Sequence, residues 1–217
     1  MRRGFTIIEL LVVIVIIGIL AGMGIAQFKS YIGKAHYAKA IAEVKQAERK
    51  FLADYAATGK KIINQSINND FSQVGSNGKI IGWGHHNNGN FSVRESYGKQ
   101  VLWVRQVPST IGYSWVNWYF PSNFVGLKFV SPRYRAFLVA RRIKSPGRFQ
   151  LGMGYDAVFD KALSDTFQSY EIDVSCNKSK FPKDDCIERG YQNHPTFAPA
   201  NGGDVEIAYL AIYQIEK

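Results

Sequence analysis

Residues 4–26 decide the fold, and they read Gly4-Phe5-Thr6-Ile7-Ile8-Glu9 followed by LLVVIVIIGILAGMGIA. Between Leu10 and Ala26 there is no charged or strongly polar side chain, so the segment lacks the polar face of a surface helix. The 22 residues from Phe5 to Ala26 would form a helix of about 33 Å, and the apolar core of a bilayer is about 30 Å thick. The segment therefore predicts one membrane span.

Glu9 is the unusual residue of this segment. A carboxylate near the start of an apolar run serves no purpose in a secretory signal or a plain anchor, and an ionisable residue in a membrane segment is by default a functional hypothesis. Arg2 and Arg3 precede the run, while Lys29 and Lys34 follow it, so the charge bias that sets orientation is weak. A signal peptide cleaved near the end of the run is the alternative.

The stretch from Gly4 to Ala21 closely resembles the start of type IV pilins and of type II secretion pseudopilins. The resemblance implies that a prepilin peptidase cuts after Gly4 on the cytoplasmic side and then methylates the new amine of Phe5. It also implies that the apolar helix stays in the mature protein and packs the core of a filament. There Glu9 would meet the Phe5 amine of the neighbouring subunit, where opposite charges are weakly screened. Recognition of Glu9 by the assembly machinery is a second role that the resemblance leaves open.

Glycines interrupt the apolar segment in its second half. Gly18, Gly22 and Gly24 each weaken a helix by about 1 kcal/mol relative to alanine. Ala26 stands where many pilins have a proline that kinks the helix. We therefore expect any local melting in a filament between Gly18 and Gly24. Close packing between helices at small residues is the alternative role.

The helix is expected to continue beyond the membrane segment. From Gln27 to Thr58 there is no proline, and Thr58-Gly59 is a stop signal, so one helix is predicted over residues 5–58. A break at Gly33 is the alternative. Charged residues, among them Lys45 and Glu48, are expected to face solvent or other subunits. The apolar stripe that would pack on a head recurs every three or four residues: Tyr37, Ile41, Val44, Ala47, Phe51 and Tyr55.

Residues 59–217 are expected to form the head. The Asn-, Ser- and Gly-rich residues 59–98 predict a connecting loop, and the residues after them predict antiparallel strands that pack on the stripe. A short helix is predicted at Asp156–Asp165. The fold class is thus α+β and pilin-like, a long N-terminal helix on an antiparallel sheet. The predicted strands are Gln100–Val107, Tyr113–Phe120, Phe124–Val130, Tyr134–Arg142, Phe149–Tyr155, Tyr170–Val174 and Val205–Ile215.

The two cysteines, Cys176 and Cys186, lie close together in the sequence. In an exported chain an even number of closely spaced cysteines predicts a disulfide, and two buried free thiols are the alternative. Pilins resemble this chain in often having a disulfide-bounded region near the C-terminus, although here a probable strand follows the second cysteine.

The chain carries a net charge of +10, which suits nucleic acid, an anionic surface or an acidic neighbour. Basic residues cluster around one predicted strand, near Trp103, Trp115 and Trp118, as in a surface that binds nucleic acid. A charged sheet face with an aromatic core behind it is the favoured interpretation. The basic set is Arg133, Arg135, Arg141, Arg142, Lys144 and Arg148.

No catalytic or cofactor-binding motif is evident in the sequence. Adjacent His85 and His86 are a poor metal site, and Asp184, Asp185 and Glu188 do not have the spacing of a known calcium loop. We therefore expect a structural protein, not an enzyme, without a metal or cofactor. It would begin as a single-pass protein of the inner membrane and end in an extracellular or periplasmic filament with other pilin subunits. A secretion pseudopilin and a minor pilin that binds DNA for uptake are the alternatives.

Overall fold

The computed structural model describes residues 5–86, 90–105, 118–121, 133–144, 147–153, 156–175, 195–200 and 203–216. These parts of the chain contain one long helix followed by short and long strands. The elements are α1 (Ile7–Ala57), β1 (Ile62–Gln65), β2 (Trp83–His86), β3 (Asn90–Ser96), β4 (Lys99–Arg105), β5 (Trp118–Pro121), β6 (Arg133–Lys144), β7 (Arg148–Met153), β8 (Asp156–Ala162), β9 (Gln168–Ser175), β10 (Pro195–Ala200) and β11 (Asp204–Ile215).

Helix α1 is continuous over 51 residues, which confirms the predicted long helix and excludes a break at Gly33. It starts after Thr6, an N-cap in extended conformation, and ends at the C-cap Thr58. Gly59 follows in the left-handed region with φ +72°, where glycine is favoured because it has no Cβ. Local signals at both ends therefore set the length of the helix.

The strands form two antiparallel sheets, whereas the sequence led us to expect one. The first has the order β3-β4-β11-β6-β9, with β1 also paired to β11, and the second has the order β2-β5-β10-β7-β8. Strand β11 is the centre of the first sheet, because β6 pairs along one side of it and β4 and β1 share the other side. The predicted antiparallel head is thus confirmed, but it has two layers.

The first sheet lies between the helix and the second sheet. One of its faces carries Phe137, Val139 and Tyr213, which pack with Val44 and Phe51 of α1. The opposite face packs against side chains of the second sheet in another core: its members include Leu102, Leu138, Ile207, Leu210, Phe149 and Leu151. Alternate residues of a strand point to opposite faces, so β6 and β11 are buried on both sides. The predicted packing of the sheet on the helix stripe is confirmed.

Residues 59–98 were predicted to form a connecting loop, and this prediction is wrong. The segment contains β1, β2 and β3, and its middle part is tied to the edge of β11. The amide of Leu210 donates to the Asn69 carbonyl at 2.9 Å, and that of Ser66 donates to the Ile212 carbonyl at 2.8 Å. Phe71 is fully buried despite a left-handed φ of 58°. These distant partners were invisible in a sequence rich in loop-forming residues.

Two further strands differ from the prediction. Residues expected to begin a short helix at Asp156 form β8, which pairs with β7 from Arg148 to Met153; pairing with a neighbouring strand overrides weak local preference. Strand β10 was not predicted because it holds Pro195 and Pro199, and prolines argue against a strand. The predicted strand Phe124–Val130 lies outside the described residues, as does much of Tyr113–Phe120.

Candidate assembly site

The first half of α1 stands free of the head. We call residues 5–32 the projecting helix, and each of its described side chains is exposed, including Phe5 at 81% and Ile7 at 85%. Exposed apolar surface on this scale marks contact with a membrane or with other protein. Helix α1 is also the one helix in the described part of the chain that is long and apolar enough to cross a membrane.

Glu9 and Thr6 form a capping box at the tip of the projecting helix. The Thr6 amide and hydroxyl both donate to Glu9 Oε2 at 2.8 Å, and the Glu9 amide donates to Thr6 Oγ1 at 3.3 Å. This arrangement satisfies amide donors that have no partner within the helix. It also holds the carboxylate beside the residue that cleavage after Gly4 would leave as a new amine, Phe5. Gly4 itself lies outside the described residues.

The glycines of the projecting helix do not interrupt it in this chain. Gly18, Gly22 and Gly24 all lie within continuous α1. A Cβ added at Gly18 or Gly22 would meet nothing within 4 Å. The isolated chain therefore gives no packing reason for glycine at these two positions, and both of their predicted roles concern the assembled state.

A buried carboxylate fixes the second half of α1 on the first sheet. Glu48 is only 6% exposed, and it accepts hydrogen bonds from the hydroxyls of Tyr209 at 2.7 Å and Tyr213 at 2.5 Å. Lys45 lies 3.5 Å from the same carboxylate. Burial, followed by the hydrogen bond to Glu48, raises the pKa of Tyr209 and of Tyr213, so both hydroxyls stay protonated and donate. Glu48 was predicted to face solvent or other subunits, and this prediction is wrong.

The six basic residues singled out in the sequence do not form one cationic surface. On β6, Arg133, Arg135 and Arg141 follow the parity of the face that packs on the helix, and Arg142 follows that of the other face. Lys144 is exposed at the end of β6, and Arg148 is half-buried on β7. The six basic side chains that the sequence grouped thus lie on both faces of β6, at its end and on β7.

Acidic partners neutralise four of these six residues. Arg133 lies 3.1 Å from Asp173, Arg135 pairs with Glu171, and Arg141 lies 2.6 Å from Glu206. Arg142 pairs with Asp165, and its guanidinium lowers the pKa of that exposed carboxyl below its usual range. Pairing with carboxylates reduces the positive charge that these four side chains present to a phosphate.

The tryptophans do not join the predicted basic cluster either. Trp103 lies beside Arg94 and Arg105, whose guanidinium carbons are 5.0 and 5.7 Å from its ring. Trp115 and the side chain of Trp118 are outside the described part of the structure. The predicted strand Gln100–Val107 already put Arg105 on the same face as Trp103, two residues away, but Arg94 could not be placed there because β3 was not recognised as a strand.

The described residues hold no group of three or more His, Cys, Asp or Glu side chains placed to bind a metal. His85 and His86 are adjacent in β2, opposite Tyr119 and Trp118 of β5. The proposed disulfide between Cys176 and Cys186 lies outside the described residues, as do Asp184, Asp185 and Glu188.

Comparison with known proteins supports the assembly site at the sequence level. A family model described as the prokaryotic N-terminal methylation motif matches residues 1–25. A fimbrial protein of Pseudomonas aeruginosa is 37% identical over 70 residues, which make up 32% of this chain and 44% of that protein. Type IV major fimbrial protein FimA of Dichelobacter nodosus is 41% identical over 46 residues, 21% of this chain and 30% of that protein. The chain thus covers less than half the length of these relatives.

Solved structures resemble the head only weakly. BiXyn10A CBM1 in its apo form has a TM-score of 0.42 at 11% identity and covers 72% of this chain and 99% of that chain. The CBM22-1 xylan-binding domain of Paenibacillus barcinonensis Xyn10C has a TM-score of 0.44 at 11% identity and covers 73% of this chain and 97% of that chain. Likeness at these scores carries no argument about function.

A long helix with an exposed apolar first half, packed through its second half on an antiparallel head, defines an α+β protein of the pilin-like class. Its N-terminal region carries the prokaryotic N-terminal methylation motif and is similar to type IV fimbrial proteins.

Proposed function

We propose that the chain is a structural subunit of a type IV pilus. Prepilin peptidase cleaves it between Gly4 and Phe5 and methylates the Phe5 amine. The subunit is held in the inner membrane by residues 5–26 until the assembly machinery transfers it to a filament, in which it polymerises with like or related subunits. The head, residues 59–217, then forms the filament surface outside the inner membrane.

The projecting helix is the observation that carries this proposal. Its apolar side chains are exposed over about 40 Å of helix, which neither a soluble monomer nor a simple membrane span explains together with Glu9. Once the subunit has left the bilayer, burying this surface against neighbouring helices keeps it from water, which is worth about 25 cal/mol for each Å². A filament therefore gives the segment a second environment after the bilayer.

Glu9 gives the polymer its proposed register. Its carboxylate is already oriented by Thr6, whose amide and hydroxyl both donate to Oε2. An amine at Phe5 of a neighbouring subunit would be attracted to this carboxylate, and in apolar surroundings an unpaired charge is costly. Misaligned subunits, which leave both charges unpaired, would thus be disfavoured.

Intact mass and N-terminal sequencing of the membrane-extracted protein test the proposal. We expect the chain to start at Phe5 and to be one methyl group heavier than its sequence predicts. The Gly4→Val variant should keep its first four residues, whereas the control Arg3→Ala should be processed normally. A start near Gln27 would identify a removed signal peptide and exclude a filament built on this helix. The same spectra, recorded with and without reductant, report the proposed disulfide through a gain of two hydrogens.

A type II secretion pseudopilin is the alternative within the same family. It would share cleavage, methylation and packing of the helix, so processing does not separate the two. Electron microscopy of cells that produce the protein at its native level does: surface filaments labelled by antibody against the head indicate a pilus. The absence of labelled surface filaments from the parent strain, together with loss of exoprotein secretion when the gene is deleted, indicates a pseudopilin.

DNA binding by a minor pilin is the weaker alternative, because carboxylates pair with four of the six basic residues that suggested it. It predicts that the assembled protein binds duplex DNA with an affinity that falls steeply with salt. Binding that is absent or insensitive to salt excludes it.

A further inference from the structure

Helix α1 changes its surroundings at a single residue, Gly33. The described side chains of the projecting helix are exposed up to Ile32, Gly33 is buried, and Ala40 and Val44 are then buried by the first sheet. The residue that covers Gly33 is Tyr97, because a Cβ added at Gly33 would fall on the Cε1, Cζ and Oη atoms of its ring. The ring thus lies directly on the helix backbone, in space that only glycine leaves open.

Tyr97 occupies a turn that fixes its position. It lies with Gly98 between β3 and β4, where Ser96 pairs with Lys99. The φ angles of Tyr97 and Gly98 are 54° and 77°, as a two-residue type I′ hairpin turn requires. Asparagine is the preferred residue at this position of such a turn, and a bulky residue there is strained. The backbone at Tyr97 is therefore strained, and the strained turn places an aromatic ring at the tip of the hairpin.

An ion-pair network around the buried Glu206 holds the Tyr97 ring in place. Arg141 Nη1 donates to Tyr97 Oη at 2.6 Å, and its guanidinium carbon lies 4.8 Å from the Tyr97 ring centre. The same side chain bonds through Nε to Glu206 at 2.6 Å, and Glu206, only 2% exposed, also binds Arg94. Phe167 lies beside both residues: its ring centre is 6.2 Å from that of Tyr97 and 4.9 Å from the guanidinium carbon of Arg141. Charged hydrogen bonds in partly buried surroundings resist displacement. The Tyr97 ring is therefore held in a fixed position against Gly33.

The contact between Tyr97 and Gly33 lies at the base of the long projecting helix. Between Gly33 and Phe5 there are 28 residue steps, or about 42 Å of helix. A tilt of about 10° at Gly33 would displace Phe5 by about 7 Å, which exceeds the rise of one helical turn. The direction of the projecting helix relative to the head therefore depends on the contact between Gly33 and Tyr97.

We propose that Tyr97, seated on Gly33 and held by Arg141 and Glu206, is a positioning residue for assembly: it fixes the angle between the projecting helix and the head. This inference rests on the proposed function, since the angle matters only when helices pack in a core and heads pack around it. In a filament the same angle would decide which head surfaces meet.

Distance measurement on the monomer tests the positioning role without any filament. Spin labels, introduced through non-canonical amino acids at Leu11 and Lys79, report the distance from helix to head in the full-length processed chain in lipid nanodiscs. We expect one narrow distribution for the natural chain and a slightly broader one for Tyr97→Phe, which keeps the ring and its contact with the Arg141 guanidinium but loses the hydrogen bond to Oη. Tyr97→Asn removes the ring and suits the turn, so it should broaden the distribution while the head unfolds at an unchanged or higher temperature.

Gly33→Ala supplies the reciprocal variant. Alanine favours the helix by about 1 kcal/mol, so any displacement of the distribution must come from collision with Tyr97. The double variant with Tyr97→Asn should behave like Tyr97→Asn alone, because the collision partner is gone. Distributions for Tyr97→Asn and Gly33→Ala that both match the natural chain would overturn the proposal.

Filament yield provides a separate readout for the same variants. Where the natural chain forms filaments, we expect Tyr97→Asn to reduce the yield several-fold and Tyr97→Phe to retain most of it; equal yields for Tyr97→Asn and the natural chain would count against the proposal. If the natural chain forms no filaments, the proposed function fails, while the distance measurement still decides whether Tyr97 sets the angle.

Discussion

The two halves of α1 have the same backbone but opposite relations to their surroundings. In the head-bound half, residues 33–57, one stripe is buried on the first sheet and the opposite face is polar or small. In the projecting helix, apolar residues occur on all sides and the described ones are exposed. The backbone is helical in both halves, but only the head-bound half has its packing partner within the chain.

This difference separates folding from assembly. Changes in the head-bound half should alter the stability of the monomer, since its partners are already present. Changes in the projecting helix should leave the stability of the monomer unchanged and alter its assembly with other subunits. The following predictions test whether effects on folding and effects on assembly arise from different parts of the molecule.

Glu9→Gln should have the largest effect, and on assembly alone. Glutamine keeps the capping box, because it accepts the same hydrogen bonds, but it removes the charge proposed to pair with the Phe5 amine. We expect filament yield to fall at least about tenfold, which corresponds to about 1.4 kcal/mol of association free energy. Counting filaments by electron microscopy measures this, with Glu43→Gln as the control from the head-bound half. An equal loss in both variants would contradict the division between the halves.

Glu48→Leu should have the largest effect on the monomer. It leaves the buried hydroxyls of Tyr209 and Tyr213 without their acceptor, and an unsatisfied buried donor costs about 1–3 kcal/mol. We expect the free energy of unfolding to fall by about 3 kcal/mol, measured by chemical denaturation of the detergent-solubilised chain. The triple variant with Tyr209→Phe and Tyr213→Phe should recover part of this loss. No recovery would mean that the hydroxyls are not the cause.

Val44→Ala and Val15→Ala form a matched pair on the same helix. Val44 is 1% exposed and Val15 is 50% exposed. Truncating the buried side chain should cost about 2 kcal/mol of unfolding free energy, because it removes apolar contacts and leaves a cavity. Truncating Val15 should change the monomer by less than about 0.5 kcal/mol. Equal losses would show that the projecting helix packs on the head.

Asp165→Asn should have the smallest effect, and one that depends on pH. The Arg142 guanidinium lowers the pKa of Asp165 in the folded state, so its contribution is present above the ordinary carboxyl pKa of about 4 and is lost as pH falls through the lowered value. Because the pair is exposed, the contribution is small. At pH 7 the unfolding temperature of the natural chain should be slightly higher than that of the variant. The two unfolding temperatures should converge near pH 2. A difference in unfolding temperature that stays constant with pH would show that ionisation of Asp165 does not cause it.

Local signals explain why much of α1 could be predicted and why a candidate assembly site could be proposed from the sequence. The absence of proline, the stripe spaced by three and four residues, and the Thr58-Gly59 stop each act within a few residues. Glu9 was identified because a carboxylate is anomalous at the head of an apolar run. The strands β4, β6, β7, β9 and β11 also carried enough aromatic and β-branched residues to be predicted close to their observed bounds.

Long-range partners explain what could not be predicted. Asn-rich residues after Gly59 predicted a loop, yet hydrogen bonds to β11 give part of that segment a fixed place. Glu48 resembled its exposed neighbours on the helix, and its tyrosine partners lie 161 and 165 positions away. The basic residues of β6 suggested an open cationic face because their acidic partners lie on β9, on β11 and near β9.

The sequence by itself thus determined a continuous helix, its apolar first half, the motif at Gly4 to Glu9 and an antiparallel head, since these follow from composition and spacing over short distances. Only the tertiary structure decided that the head has two sheets, that Glu48 is buried, that carboxylates neutralise the arginines and that Tyr97 lies on Gly33. Those features depend on which strands become neighbours, and strand pairing joins residues whose separation along the chain leaves no local pattern.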